Sequence, residues 1–107
     1  MKLLTQEIIK ALPALYATDG QGNEAVIWVK FFCPWNNWTW YATEGEPQDG
    51  AEYMFFGLVD GHELELGYFT LAELKSSTGP GGLKIERDLH FRPCTVGEVK
   101  QLAEARQ

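Results

Sequence analysis

A hairpin signal occupies residues 53–70, which read YMFFGLVDGHELELGYFT. Residues 53–60 are almost continuously apolar. Residues 63–68 alternate between charged or small side chains and large apolar ones, and Phe69 follows. The Asp60-Gly61 dipeptide between them is typical of tight turns, because glycine adopts a positive φ without a steric penalty. The stretch therefore predicts two antiparallel strands joined by a short turn, and with them a fold built on a sheet.

Two further strand signals precede this hairpin. Residues 26–33 are apolar on both alternating sets apart from Lys30, which predicts a central strand covered on both faces. Residues 38–44 alternate more cleanly, with one face formed by Trp38, Trp40 and Ala42 and the other by Thr39, Tyr41 and Thr43. The turn-forming residues 34–37 predict that these two strands pair as a hairpin, and a polar loop over 46–50 leads to the next strand.

Helix signals frame the strands. Thr5 can cap a first helix whose apolar face is formed by Leu4, Ile8, Leu12 and Leu15, and Pro13 is expected to end or bend it. Capping-box patterns at residues 70–73 and 95–98 predict a short middle helix and a C-terminal helix.

A last extended segment is expected between these helices, at residues 83–93. The order of elements predicts a single α+β domain over residues 1–107. In it, an antiparallel β-meander of four to five strands packs with the three helices.

The charge of the chain is unevenly distributed. The net charge is −6, and no Lys or Arg occurs between Lys30 and Lys75. That interval contains eight acids: Glu44, Glu46, Asp49, Glu52, Asp60, Glu63, Glu65 and Glu73. Direct binding of the segment to nucleic acid or to an anionic membrane is therefore disfavoured, because both require basic patches.

Compartment and cofactor expectations are simple. The apolar runs are far shorter than the roughly 20 residues of a membrane-spanning helix, and Gln6, Glu7 and Lys10 interrupt any signal peptide, so a cytoplasmic protein is expected. The two cysteines, Cys33 and Cys94, are read as small apolar residues of a reducing compartment. We expect no cofactor.

Six short motifs follow one another along the chain: LYAT at 15–18, VKFF at 29–32, NWTWYATE at 37–44, FFGLV at 55–59, ELGYF at 65–69 and IERDL at 85–89. Together they resemble a family of small bacterial proteins designated domain of unknown function 2958, over nearly the whole chain. Members of that family are typically carried by plasmids, phages and integrative elements. The resemblance therefore implies a compact cytoplasmic domain of a mobile genetic element, and it transfers no catalytic residues.

An aromatic cluster is the first candidate binding feature; it comprises Trp35, Trp38, Trp40 and Tyr41. Such a cluster can stack bases, hold a guanidinium or methylated cation, or anchor a protein interface. The alternative is that Trp38 and Trp40 pack one face of the sheet. Trp35 is expected in a turn, where a contact role is easier to arrange than a core role.

Acidic residues are the second candidate feature. The pairs Glu44 with Glu46 and Glu63 with Glu65 have the i, i+2 spacing of one strand face, roughly 6 to 8 Å, which is also about a phosphate step. They can form an anionic surface for a basic or DNA-binding protein, or a solvated face without a partner. Their spacing matches no calcium loop.

Histidine chemistry is weakly indicated. His62 lies in the predicted turn and His90 on the last extended segment, and a zinc site would need three or four ligands in close pairs. No metal site and no catalytic residue is therefore assigned.

Arg87 is the one position at which polarity conflicts with the alternation, because it falls on the face of Ile85 and Leu89. A buried arginine requires a carboxylate partner. The sequence predicts a buried polar network of Arg87 with Glu65 or Asp88.

The sequence thus favours a non-enzymatic protein-binding module, which presents the Trp35 turn and the acidic segment to another protein in a defence or counter-defence role. Two alternatives stay open. One is a small-ligand or metal-dependent enzyme that uses the carboxylates with His62 or His90, and the other is an accessory subunit of an oligomer. The oligomeric state is not indicated.

Overall fold

The structure, a computed structural model, describes residues 1–106, apart from the side chain at position 51. Within these residues there are three α-helices: α1 (Gln6–Ala11), α2 (Leu71–Ser76) and α3 (Val96–Ala105). The strands are β1 (Val26–Ile27), β2 (Val29–Phe32), β3 (Thr39–Pro47), β4 (Tyr53–Asp60), β5 (Leu64–Thr70), β6 (Glu86–Arg87) and β7 (Cys94–Thr95). The α+β class predicted from the sequence is confirmed.

Five strands form one antiparallel sheet in the order β5-β4-β3-β2-β6. The first four follow chain order in space, as expected for a meander, and β6 returns to the far side of β2. The predicted bounds of β4 are confirmed. β3 extends to Pro47, into the stretch predicted as a polar loop.

The predicted strand over residues 26–33 divides in two. β2 stays in the main sheet, whereas β1 pairs with β7 in a separate two-stranded sheet. Trp28 lies between them, and its N–H donates to the carbonyl of Ala42 at 2.9 Å. One apolar run therefore supplies two sheets, and β1 leads toward the start of α3.

Side-chain caps begin all three helices. Thr5 Oγ1 accepts from the Ile8 N–H at 3.3 Å, and Thr95 forms a reciprocal capping box with Glu98. α1 ends at Ala11, two residues before Pro13, so Leu15 falls in a turn instead of on the predicted helical face. No helix within residues 1–106 is both long enough and apolar enough to cross a bilayer.

Each face of the main sheet carries its own core. The α1 face, defined by Phe31 and Phe55, packs against α1, α2 and the N-terminal residues. The α3 face, defined by Leu58, packs against α3 and β1. Because burying apolar side chains contributes about 1.5–3 kcal/mol each, the two clusters account for most of the stabilisation.

A β-bulge at Thr43 changes which residues of β3 belong to which face. Ala42 pairs with Gly57 and Glu44 with Phe56, so Thr43 is the extra residue. The predicted alternation holds through Ala42 and then reverses, which places Glu44 on the α3 face instead of the face of Trp40.

The predicted network of Arg87 with Glu65 or Asp88 is wrong. Arg87 lies on β6 at one edge of the sheet, and Glu65 lies on β5 at the other edge. The Arg87 Nε donates to the carbonyl of Lys2 at 3.2 Å, and Asp88 pairs with Lys30 at 3.5 Å. The prediction failed because β6 pairs with β2, so three strands separate Arg87 from Glu65.

Candidate protein-binding site

Trp38 immediately precedes β3 and borders the turn between β4 and β5. Its ring centroid lies 5.4 Å from the His62 ring, edge to face, and 6.1 Å from the ring of Trp40. Gly61 permits this arrangement, because a Cβ at that position would overlap the Trp38 ring. The turn predicted from Asp60-Gly61 therefore also seats an indole.

A pocket of about 270 Å³ lies beside Trp38. The residues that matter for its chemistry are Trp38, Val59, His62, Glu63, Glu65 and Gly67. The volume is slightly below the range of about 300–1,000 Å³ for drug-sized ligands, so the pocket suits one long side chain. An indole wall with carboxylates beside it favours a cation, since both the ring face and the carboxylates attract positive charge.

The two glutamates in the wall of this pocket have no salt-bridge partner among the described residues, although the adjoining cleft, which shares Glu63, is lined by Lys100 and Arg106. The side chains of Glu63 and Glu65 are exposed. Within residues 1–106, Asp60 is the one acid of the central segment that is paired with a basic residue, Arg106, at 3.0 Å. Negative potential therefore remains at the end of the sheet where β4 turns into β5.

β5 borders the pocket and forms an edge of the main sheet. It pairs with β4 in unbroken register from Leu64 to Thr70, and no strand of the described residues pairs with its other side. Leu66 and Tyr68 point to the α3 face and are 48% and 52% exposed. An edge strand with large exposed apolar side chains is typical of a contact surface.

Glu44 was expected on an exposed acidic surface, and this expectation is corrected by its 2% exposure. Its carboxylate accepts from the N–H groups of Tyr16 and Thr18, both at 2.8 Å, and from the Thr18 hydroxyl. Half-buried Glu46 accepts from the Leu15 N–H at 2.7 Å. We call this arrangement of Glu44 and Glu46 with residues 13–18 the carboxylate clamp.

The carboxylate clamp places Tyr16 beside the edge strand. Tyr16 is 64% exposed and has a positive φ of 72°, a conformation that side-chain-bearing residues rarely adopt. The neighbouring phenol of Tyr16 raises the pKa of Tyr68 to about 12. The acids thus organise a loop, a role for which the sequence offered no signal beyond the i, i+2 spacing.

The other predicted aromatic residues do not line the pocket, although Trp38 and Trp40 pack against the same core. Trp35 is half-buried, with its ring where a Cβ of Gly79 would be, and it packs on the α1-face core instead of projecting from its turn. Trp40 is half-buried in the same core. Tyr41 lies on the α3 face near Phe91, and burial raises its pKa.

The structure therefore divides the predicted binding residues into three groups. It brings together Trp38, Glu63 and Glu65. It uses Glu44 and Glu46 inside the carboxylate clamp, and it places the remaining three, Trp35, Trp40 and Tyr41, in or beside the cores. Sequence reasoning missed Leu66, Tyr68 and Gly67, although the alternation of residues 63–69 already placed them on one strand.

The histidines and cysteines lie apart. His62 is exposed in the turn at the β5 edge, and His90 is exposed after β6 at the opposite edge. Cys33 is buried, and burial raises the pKa of the half-buried Cys94 thiol. Within residues 1–106 no group of three or more His, Cys, Asp or Glu side chains is arranged to hold a metal ion.

A larger open cleft of about 1000 Å³ lies between α3 and the turn of β4 into β5. Three cations line it, and each has a partner: Lys30 pairs with Asp88, Arg106 with Asp60, and Lys100 Nζ donates to the Asn23 side chain at 2.9 Å. Its charge is therefore mixed, in contrast to the pocket beside Trp38, which has no Lys or Arg in its wall.

Of the comparisons with known proteins, one gives a match, to a protein family. No curated protein and no solved structure matches the chain significantly. The family model described as "Protein of unknown function (DUF2958)" matches residues 3–105, the span that contains all the strands and helices described above. The chain therefore belongs to the DUF2958 family.

Proposed function

We propose that this protein is a non-enzymatic, cytoplasmic binding module of a mobile genetic element that binds a basic protein. The site is the pocket beside Trp38 with the carboxylates of Glu63 and Glu65. A host DNA-binding protein is the class of partner that the proposal favours, because such proteins expose the arginines and lysines that this surface attracts. Binding it would serve defence or counter-defence.

One observation carries the proposal: Trp38, Glu63 and Glu65 converge on one pocket of about 270 Å³ whose wall contains no Lys or Arg. A cation in this pocket meets an aromatic ring worth about 0.5–2 kcal/mol and two carboxylates. The neighbouring Leu66 and Tyr68 add exposed apolar area, and burying it on binding would contribute to affinity for the partner. The carboxylates would contribute to selectivity for a basic partner.

The pocket can be tested with its simplest ligand. N-acetyl-arginine N-methylamide is titrated into isotopically labelled protein, and the Trp38 indole N–H and the backbone N–H groups of residues 61–67 are followed by NMR. Saturable shifts confined to these groups are expected, with a dissociation constant in the millimolar range because one side chain is bound. The matched control is the citrulline analogue, which has the same shape and no charge.

A second control is on the protein side. Glu63→Gln with Glu65→Gln removes the charge from two exposed positions, so the fold is retained and the shifts are expected to disappear. Absence of saturable shifts with the arginine ligand, or equal shifts with citrulline, would overturn the proposal.

The open cleft supports a second candidate function, small-ligand binding or metal-dependent catalysis with His62. It is the larger concavity and combines His62 with Asp60 and Lys100 in its wall. Thermal-shift measurements with divalent cations and nucleotides test it, because a ligand at about 100 times its dissociation constant adds about 2.7 kcal/mol. No shift with any of them would remove this candidate.

A further inference from the structure

The two edges of the main sheet differ in a way that matters for binding. β6 has two residues, and the N-terminal segment covers it: the Arg87 N–H donates to Met1 Sδ at 3.2 Å, and Arg87 Nε donates to the Lys2 carbonyl. β5 has seven residues in unbroken register with β4. It contains no proline, no lysine and no bulge, three of the devices that protect an edge, and Glu65 is its one charged residue.

The side chains of β5 divide by face. Leu64, Leu66 and Tyr68 point to the α3 face, and Glu65, Gly67 and Phe69 point to the α1 face. Gly67 leaves its place on the α1 face open, because nothing lies within 4 Å of where its Cβ would be. A side chain arriving from the free edge can therefore cross Gly67 and reach the pocket beside Trp38.

We propose that an extended, basic segment of the partner protein adds to the free edge of β5 as a sixth strand and places an arginine or lysine across Gly67 into the pocket. This inference rests on the proposed function and specifies its mode. Main-chain hydrogen bonds to β5 supply affinity, and alternate side chains supply specificity. The segment carries cationic residues toward the α1 face and apolar residues toward Leu66 and Tyr68.

Charge complementarity selects this occupant over a second copy of the chain. Pairing β5 with β5 would place side by side two segments that each carry Glu63 and Glu65 and contain no basic residue. Each chain also carries a net charge of −6, which adds long-range repulsion. A basic segment removes both costs and neutralises the exposed carboxylates.

The test uses a defined peptide of about nine residues, within the usual range of strand lengths and long enough to span β5. Valine alternates with arginine, so that one face is apolar and the other cationic. Two backbone-methylated versions are made, one methylated on the valine amides and one on the arginine amides. Because alternate amides of a strand point to opposite edges, only one of the two sets can donate to β5.

Affinity is measured by calorimetry. The parent peptide is expected to bind, and one methylated version is expected to bind roughly tenfold or more weakly while the other keeps the parent affinity. Hydrogen exchange is expected to slow at alternate amides of residues 64–70. Equal affinity of all three peptides would show docking by side chains alone and overturn the inference.

Two further outcomes separate the inference from its alternatives. If N-acetyl-arginine N-methylamide binds the pocket and the parent peptide binds no better, strand addition is wrong while the proposed function stands. If light scattering shows a dimer and the amides of residues 64–70 are protected without peptide, the occupant is a second copy and the inference is overturned.

Discussion

The carboxylate of Glu44 accepts a hydrogen bond from the backbone N–H of Tyr16 at 2.8 Å, across 28 residues of the chain. Tyr16 is the one residue other than glycine with a positive φ within the described residues. Such a conformation costs about 1–3 kcal/mol unless its surroundings hold it. Glu44 therefore stabilises a backbone conformation that is unfavourable for a residue with a side chain. This conformation places Tyr16 beside Tyr68.

Glu44→Gln is expected to lower the free energy of unfolding by about 1–3 kcal/mol, because the amide has one acceptor oxygen in place of two and leaves one of the two backbone N–H groups unpaired in a part-buried site. Urea denaturation measures this change. Glu46→Gln is the matched control; Glu46 is less buried and accepts one hydrogen bond, so a loss below about 1 kcal/mol is expected. Equal losses for the two variants would contradict the carboxylate clamp.

Tyr16→Phe is expected to lower the pKa of Tyr68 from about 12 toward its ordinary value of 10.0, because the neighbouring Tyr16 phenol is the main cause of the rise. In the unmodified protein the unfolded Tyr68 loses its proton near 10 and the folded one near 12. The contribution of this contact to stability is therefore present below pH 10 and is lost as pH rises to about 12.

Ultraviolet titration of the phenols, assigned by NMR, measures the change. The pKa of Tyr53, which burial raises, serves as the internal control and is expected to stay where it is. An unchanged Tyr68 titration in Tyr16→Phe would show that the Tyr16 phenol does not cause the rise.

Gly79→Ala is expected to lower the free energy of unfolding by about 1–3 kcal/mol, because the added Cβ overlaps the Trp35 ring and the core must shift. The control is Gly67→Ala, where the methyl group meets open space and stability should not fall. Thermal unfolding followed by tryptophan fluorescence reports both. A neutral Gly79→Ala would mean that Trp35 moves freely out of the core.

Binding of the valine–arginine peptide is expected to weaken with salt, since exposed charges are screened beyond about 8 Å at physiological ionic strength. Glu63→Gln with Glu65→Gln should remove most of this salt dependence. Glu7→Gln, at an exposed position on α1, is the control and should leave it unchanged. Salt-independent binding by the unmodified protein would remove the electrostatic basis of the proposed function.

The parts of the fold that could be predicted from the sequence are those that depend on residues close together in the chain. The bounds of β4 followed from an apolar run that ends at Asp60-Gly61, and the caps at Thr5, Thr70 and Thr95 are each made with a residue three positions away. The division of residues 26–33 into β1 and β2 was missed, because it depends on β7 arriving from the far end of the chain.

The site was predictable only in part for the same reason. The spacing of Glu63 and Glu65 placed them on one strand. Nothing in the sequence indicated that the turn at Asp60-Gly61 would lie beside Trp38. The burial of Glu44 depends on N–H groups that residues 16 and 18 leave free, and the burial of Trp35 depends on the absence of a side chain at Gly79. Neither relationship appears in local sequence.

The extra residue at Thr43 has a consequence for reading relatives of this protein. Downstream of it, odd and even positions of β3 exchange sides, so a relative that kept all these residues but paired without the bulge would turn its counterparts of Glu44 and Glu46 toward α1 and could not build the same loop anchor. A relative lacking that single residue would keep both acids on the α3 face. In an alignment, a one-position gap here would therefore mark the loss of the bulge and not the loss of the anchor.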